Sequence, residues 1–176
     1  MYLATCTRPD LAVAVSELSK FGQNPRVAHW EGVKRVMRYL KGTVGEGLMY
    51  KRGAQVKVWG YSDSGHAGDV ETSRGRSGYV FLSAGAAISW RRSMMKVVTH
   101  NNCESEYVGL SEAVNEAMHL SQLQGELSIG KEGVLLMGDN ESSLKLATNP
   151  VFHQRSKHIR IGLLRARLNF ARSTRV

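Results

Sequence analysis

Val134-Leu135-Leu136-Met137-Gly138-Asp139 is the stretch that decides the fold. Four apolar residues bounded by Gly133 and Gly138 have the length and character of a strand buried on both faces, as in sheets covered by helices. The segment before it repeats Tyr107, Leu110, Val114, Ala117, Met118 and Leu123 at helical spacing and ends near Gly125, which predicts a long central helix. Further upstream, short alternating runs at 48–51, 56–61, 79–82 and 87–90 predict strands, with 97–99 as an extension. Ser83-Ala84-Gly85-Ala86 is a small glycine-containing loop that suits an antiparallel hairpin. Three hairpin-linked strands, a helical crossover and a buried parallel strand make an α/β mixed sheet with flanking helices.

Working outward, Thr7-Arg8-Pro9-Asp10 predicts a helix start and Asn24-Pro25 a second one, ended by Gly42. In that second helix Trp30, Val33, Met37 and Leu40 form an apolar stripe expected to pack in a core, with Lys34, Arg35, Arg38 and Lys41 facing elsewhere. Beyond Asp139 a helix is expected over 141–147, broken at Asn149-Pro150. A last helical pattern of Ile159, Leu163, Leu164 and Leu168 is expected to run to the end. The expected organisation is a helical extension over 1–46 and a sheet-containing domain over 47–176.

The chain has 176 residues with a formal net charge of +9 and 42% hydrophobic residues, too apolar for disorder. The longest apolar run, 11–15, is far short of the ~20 residues that span a bilayer, so no membrane partner and no secretory signal are expected. Two cysteines without a CxxC pair exclude a disulfide framework and a cysteine zinc site. The positive charge concentrates at 151–176, where seven basic residues meet no acid. Such a tail either neutralises phosphates of a nucleic acid or is a solvated helix face.

Asp63 follows the first core strand and Asp139 the buried one, while Glu104 and Glu106 open the central helix. If the two strands are parallel neighbours, these carboxylates gather at the end of the sheet where α/β folds bind ligands. Such a cluster suits Mg²⁺, which takes oxygen ligands, and two ions about 4 Å apart can support phosphodiester cleavage. Asp at a strand end is equally a turn residue or a helix cap. His100 with Cys103 lacks a third group to orient a thiol nucleophile, and no phosphate-binding glycine loop is present.

Several blocks together resemble the ribonuclease H region of copia-type LTR retrotransposon polyproteins. They are Tyr61-Ser62-Asp63, His66-Ala67-Gly68-Asp69, Ser77-Gly78-Tyr79-Val80-Phe81, Ala87-Ile88-Ser89-Trp90, Glu104-Ser105-Glu106-Tyr107, Asp139-Asn140-Glu141-Ser142 and Asn149-Pro150-Val151-Phe152-His153. The first fifty residues resemble the end of the preceding reverse transcriptase region, through Thr7-Arg8-Pro9-Asp10 and Arg38-Tyr39-Leu40-Lys41-Gly42-Thr43. The resemblance implies a ribonuclease H-like fold and Mg²⁺-dependent cleavage of the RNA strand of RNA/DNA hybrids. By motif it makes Asp63, Glu106 and Asp139 the catalytic metal ligands, with Glu104 beside them. Asn102, Ser105, Arg155, Lys157 and Arg160 are the expected nucleic-acid contacts. The implied partners are an RNA/DNA hybrid and the reverse transcriptase portion of the same polyprotein, in the cytoplasm (a retroelement particle) or the nucleus.

The sequence also departs from the family. His66 stands where a Trp is usual, Asn101-Asn102-Cys103 replaces Ser-Ser-Thr, and no acid follows Glu141 to serve as the family's fourth ligand. The domain is therefore expected to be truncated, with its fifth strand missing, one metal site weakened, and activity lowered or lost. The alternative is a catalytically inactive, nucleic-acid-binding remnant.

Overall fold

The computed structural model describes residues 1–54, 56–65, 73–129 and 133–138, together with the backbone of 169–172. Two compact units divide at Met49 and Tyr50. Among the described residues no helix is long and apolar enough to cross a membrane.

The first unit holds α1 (Tyr2–Cys6), a 3₁₀ turn (Pro9–Leu11), α2 (Ala12–Ser19) and α3 (Val27–Gly42). Pro9 sits at the first position of the turn, where its absent N–H costs nothing. Arg8 ties the start of this segment to the end of α3. Its guanidinium donates to both Asp10 carboxylate oxygens, at 3.0 and 2.8 Å, and to the Thr43 carbonyl and hydroxyl at 3.1 and 2.7 Å. The Arg8 guanidinium, with Tyr39 assisting, holds the Asp10 carboxyl below its usual range. Asp10 therefore favours the folded state above the ordinary aspartate value of about 3.9, and that contribution is lost as pH falls through the lower folded value. Acidification should accordingly raise amide exchange in α2 and α3, and Asp10→Asn should flatten that dependence. Parallel pH profiles of wild type and variant would refute the linkage.

The expected Trp30–Met37 core stripe is corrected by the structure. Trp30 is 60% and Met37 62% exposed. The half-buried face of α3 is Gly32, Val33, Val36 and Leu40. Gly32 selects it, because a Cβ there would lie 2.7 Å from the Leu18 side chain of α2. Glycine lets the Leu18 side chain lie directly on α3 at that point, on the side away from the exposed Trp30 and Met37.

The second unit is built on a sheet of β1 (Trp59–Gly65), β2 (Arg76–Ser83), β3 (Ala86–Met94), β4 (Leu135–Gly138) and β5 (Asn169–Arg172), in the order β3-β2-β1-β4-β5. The first three strands are antiparallel neighbours, and β4 runs parallel to β1. This is the mixed sheet expected, with α4 (Asn102–Glu126) as the connection between β3 and β4. Ala84 and Gly85 form the hairpin turn, both with positive φ, the primed geometry that matches strand twist.

The fifth strand corrects an expectation. Asn169–Arg172 pairs with β4 in parallel, Leu135 opposite Asn169 and Gly138 opposite Arg172, where the sequence suggested a missing strand and a helix to the end. The predicted strands at 48–51 and 97–99 are absent from the described structure. The first is only a brief attachment, through the Lys51 N–H on the Ala84 carbonyl at 2.9 Å and the Tyr50 hydroxyl on the Ala87 carbonyl at 2.6 Å. A turn through Gly53, at φ 79°, follows at once. The helix expected over 141–147 lies outside the described residues.

The core sits between α4 and one face of the sheet. Phe81, Tyr107, Leu110, Ala113, Val114, Ala117, Val134 and Leu136 are all buried, with Val58 and Leu120 at its rim. Each large apolar side chain contributes roughly 1.5–3 kcal/mol by leaving water. Small residues at 109, 113 and 117 let α4 lie close. A Cβ on Gly109 would stand 3.0 Å from the Ser64 Cβ.

Candidate active site

Strand β1 extends four residues past Tyr61, so Asp63 lies within a strand rather than after one. It nevertheless stands at the end of the β1–β4 pair, because the parallel ladder stops at Ser62 opposite Gly138. Asp139 is the next residue in sequence and lies outside the described residues.

Alternation sorts the β1 side chains into two faces. Gly60, Ser62 and Ser64 are on the α4 side, where a Cβ on Gly60 would meet the Phe81 ring and the Ser64 hydroxyl lies 3.4 Å from that of Ser105. Asp63 is on the other face and exposed. The Ser64–Ser105 contact joins β1 to α4 on the α4 face, one residue along from Asp63 in the strand and from Glu106 in the helix, while the Asp63 side chain is on the opposite face.

The two glutamates of α4 have separate environments. Asn101 caps the helix, its side chain accepting the Glu104 N–H at 2.9 Å, and the Glu104 carboxylate accepts the His100 N–H at 2.7 Å. This reciprocal arrangement satisfies free amides at the helix start and commits Glu104 to capping. Glu106 is half-buried, three residues from Cys103, whose thiol is pushed up by burial and by the Glu106 charge. Raised in this way, Cys103 is a poor nucleophile at neutral pH.

Ser105 requires a correction. Expected as a nucleic-acid contact, it is fully buried, with its hydroxyl directed to Ser64 and to the Met95 sulfur at 3.7 Å. Its small side chain seats α4 on β1 and does not reach solvent. Asn102 is exposed at the first position of α4. Arg155, Lys157 and Arg160 lie outside the described residues.

Two further carboxylates escaped the sequence reading. Glu112 accepts the Ser77 hydroxyl at 2.6 Å, and Glu116 accepts those of Ser89 at 2.7 Å and Tyr79 at 3.4 Å. Burial, with the Glu116 charge, raises the Tyr79 phenol. Their spacing of four along α4 was the available signal, since both then face the same strands. They clamp α4 onto β2 and β3. Among the described residues no three His, Cys, Asp or Glu side chains form a metal-holding group.

No protein-family model matches the chain. The Pol polyprotein of the transposon TNT 1-94 from Nicotiana tabacum is 38% identical over 159 residues, covering 90% of this chain and 12% of the polyprotein. The chain belongs to the Pol polyprotein family of copia-type retrotransposons. Its sheet order and crossover helix agree with the mixed sheet expected from the sequence pattern. The chain spans about an eighth of the length of that Pol relative. A second relative, named secreted RxLR effector protein 161 of Plasmopara viticola, is 47% identical over 121 residues, covering 69% of this Pol segment and 85% of the effector. Among solved structures, LC11-RNase H1, isolated from compost by a metagenomic approach, is 19% identical with a TM-score of 0.47, covering 68% of the Pol segment and 86% of that chain.

Proposed function

We propose that this domain is a hybrid ribonuclease of a retroelement, with Asp63, Glu106 and Asp139 as ligands of Mg²⁺. The observation that carries the reading is the junction at Ser64 and Ser105, which joins the strand bearing Asp63 to the helix bearing Glu106. The parallel register that ends with Gly138 beside Ser62 supports a common location for the residue after Gly138. The donors fit the ion: all are carboxylate oxygens, and Asp63 is exposed enough to meet a hydrated cation. When bound, Mg²⁺ would supply an activated water and charge stabilisation for phosphodiester hydrolysis. The chain's own contribution is to hold Asp63 on a hydrogen-bonded strand and Glu106 on a helix fixed by its cap, so that neither must be ordered when substrate arrives. Asn102 and the basic residues Arg155, Lys157 and Arg160 would bind the nucleic-acid backbone, the latter through counterion release. The domain would act beside its reverse transcriptase in the cytoplasm or nucleus.

A second reading, binding of nucleic acid without turnover, is favoured by the segment 151–176, where seven basic residues meet no acid. Cleavage of a labelled RNA/DNA hybrid across a Mg²⁺ titration separates the two, with Asp139→Asn as control. RNA-strand cleavage lost in the control supports the enzyme. A folded chain that shifts the hybrid on a gel and never cuts it supports the binder.

A further inference from the structure

The face of the sheet that carries Asp63 is opposite α4, and the strand register defines its rows. Asp63 pairs with Gly78, and Gly78 pairs with Arg92, so these three share one row and one face across β1, β2 and β3. Gly78 contributes no side chain between Asp63 and Arg92. The Arg92 guanidinium occupies that side. Its Nη1 atom lies 3.9 Å from where a Gly78 Cβ would be, and the Asp63 carbonyl oxygen lies 4.0 Å from the same point. The arginine thus reaches inward over the glycine toward the Asp63 strand.

No ion pair joins Arg92 to Asp63 or to any other acid among the described residues. Its Nε is buried and has no hydrogen-bond partner. A guanidinium drawn over its own sheet and outside any ion pair among the described residues suits a planar or tetrahedral oxyanion. Arg91, the next residue, projects to the α4 face beside Tyr79, whose phenol its charge influences. Adjacent arginines of one strand therefore serve opposite faces.

We infer that Arg92 grips a backbone phosphate of the nucleic acid next to the Asp63 position, setting the strand's register over the candidate metal ligands. This rests on the hybrid-ribonuclease reading and adds to it a positioning residue from β3. A phosphate held by Arg92 would place the adjoining phosphodiester beside Asp63, whereas the tail arginines would bind without fixing register.

The test is fluorescence anisotropy of a labelled RNA/DNA hybrid with the full chain, in Ca²⁺ or EDTA, across a salt series. Wild type, Arg92→Ala, Arg92→Lys and Arg91→Ala are compared, with circular dichroism to verify folding. Arg92→Ala should weaken binding about tenfold and reduce the slope of log affinity against log salt by about one. Arg92→Lys should restore the slope while recovering only part of the affinity, because a lysine lacks the fork. Arg91→Ala should match wild type. A folded Arg92→Ala chain with wild-type affinity and slope would overturn the inference, as would equal effects at both arginines. Should Arg92→Ala fail to fold, Arg92→Lys decides: wild-type affinity there overturns the fork. If wild type binds no hybrid, the ribonuclease reading itself fails, and the inference with it.

Discussion

Glu106→Gln should lower Mg²⁺-dependent hybrid cleavage by at least about 100-fold, whereas Glu104→Ala should leave the Mg²⁺ midpoint unchanged. Loss of groups that merely orient metal ligands already costs about 10–100-fold, so loss of a ligand sets a larger minimum. Glu104 has another task, accepting the His100 amide in a cap shared with Asn101. Its removal should therefore cost about 0.5–2 kcal/mol of stability and little chemistry below the melting temperature. Kinetics across a Mg²⁺ series, beside thermal melts, separates the two glutamates. Equal losses of cleavage would show that the cap and the site are not distinct.

Gly60→Ala should destabilise the second unit by about 3 kcal/mol, the upper end of ordinary overpacking, and lower its melting temperature by roughly 6–12 °C. A Cβ at this position would stand 2.4 Å from two carbons of the Phe81 ring, and Phe81 is fully buried. The ring has no free space to enter, since α4 covers it from above. Gly60→Ala combined with Phe81→Leu should recover part of the loss, because the residues are in contact and their effects do not add. A single variant that melts within a degree of wild type would contradict the packing described.

How much of this was legible in the sequence depends on whether the signal was local. The α4 periodicity, the turn at Ala84-Gly85 and the buried run at 134–137 are short-range patterns, and the sheet built from them is correct. The extent of β1 was not, because Ser62-Asp63-Ser64 looks like a loop when hydrophobicity alone defines strands. Those serines face α4, and Ser64 contacts the Ser105 hydroxyl there, so polarity in the strand is a packing feature. The fifth strand was invisible for a different reason: Asn169–Arg172 is specified by parallel pairing with β4, a contact distant in sequence. The apolar stripe of α3 failed because one glycine, Gly32, decides which side faces α2. At the candidate site, motif alone singled out Asp63 and Glu106, while the burial of Ser105 and the row through Gly78 to Arg92 needed coordinates.

The most direct test of the central claim, that Asp63 and Glu106 belong to one divalent-cation site, is Mn²⁺ binding followed by electron paramagnetic resonance. Wild type should bind Mn²⁺, and Asp63→Asn and Glu106→Gln should each weaken that binding at least about tenfold while keeping the wild-type circular dichroism. Binding that survives both substitutions, or no binding by the folded wild-type chain, would contradict it.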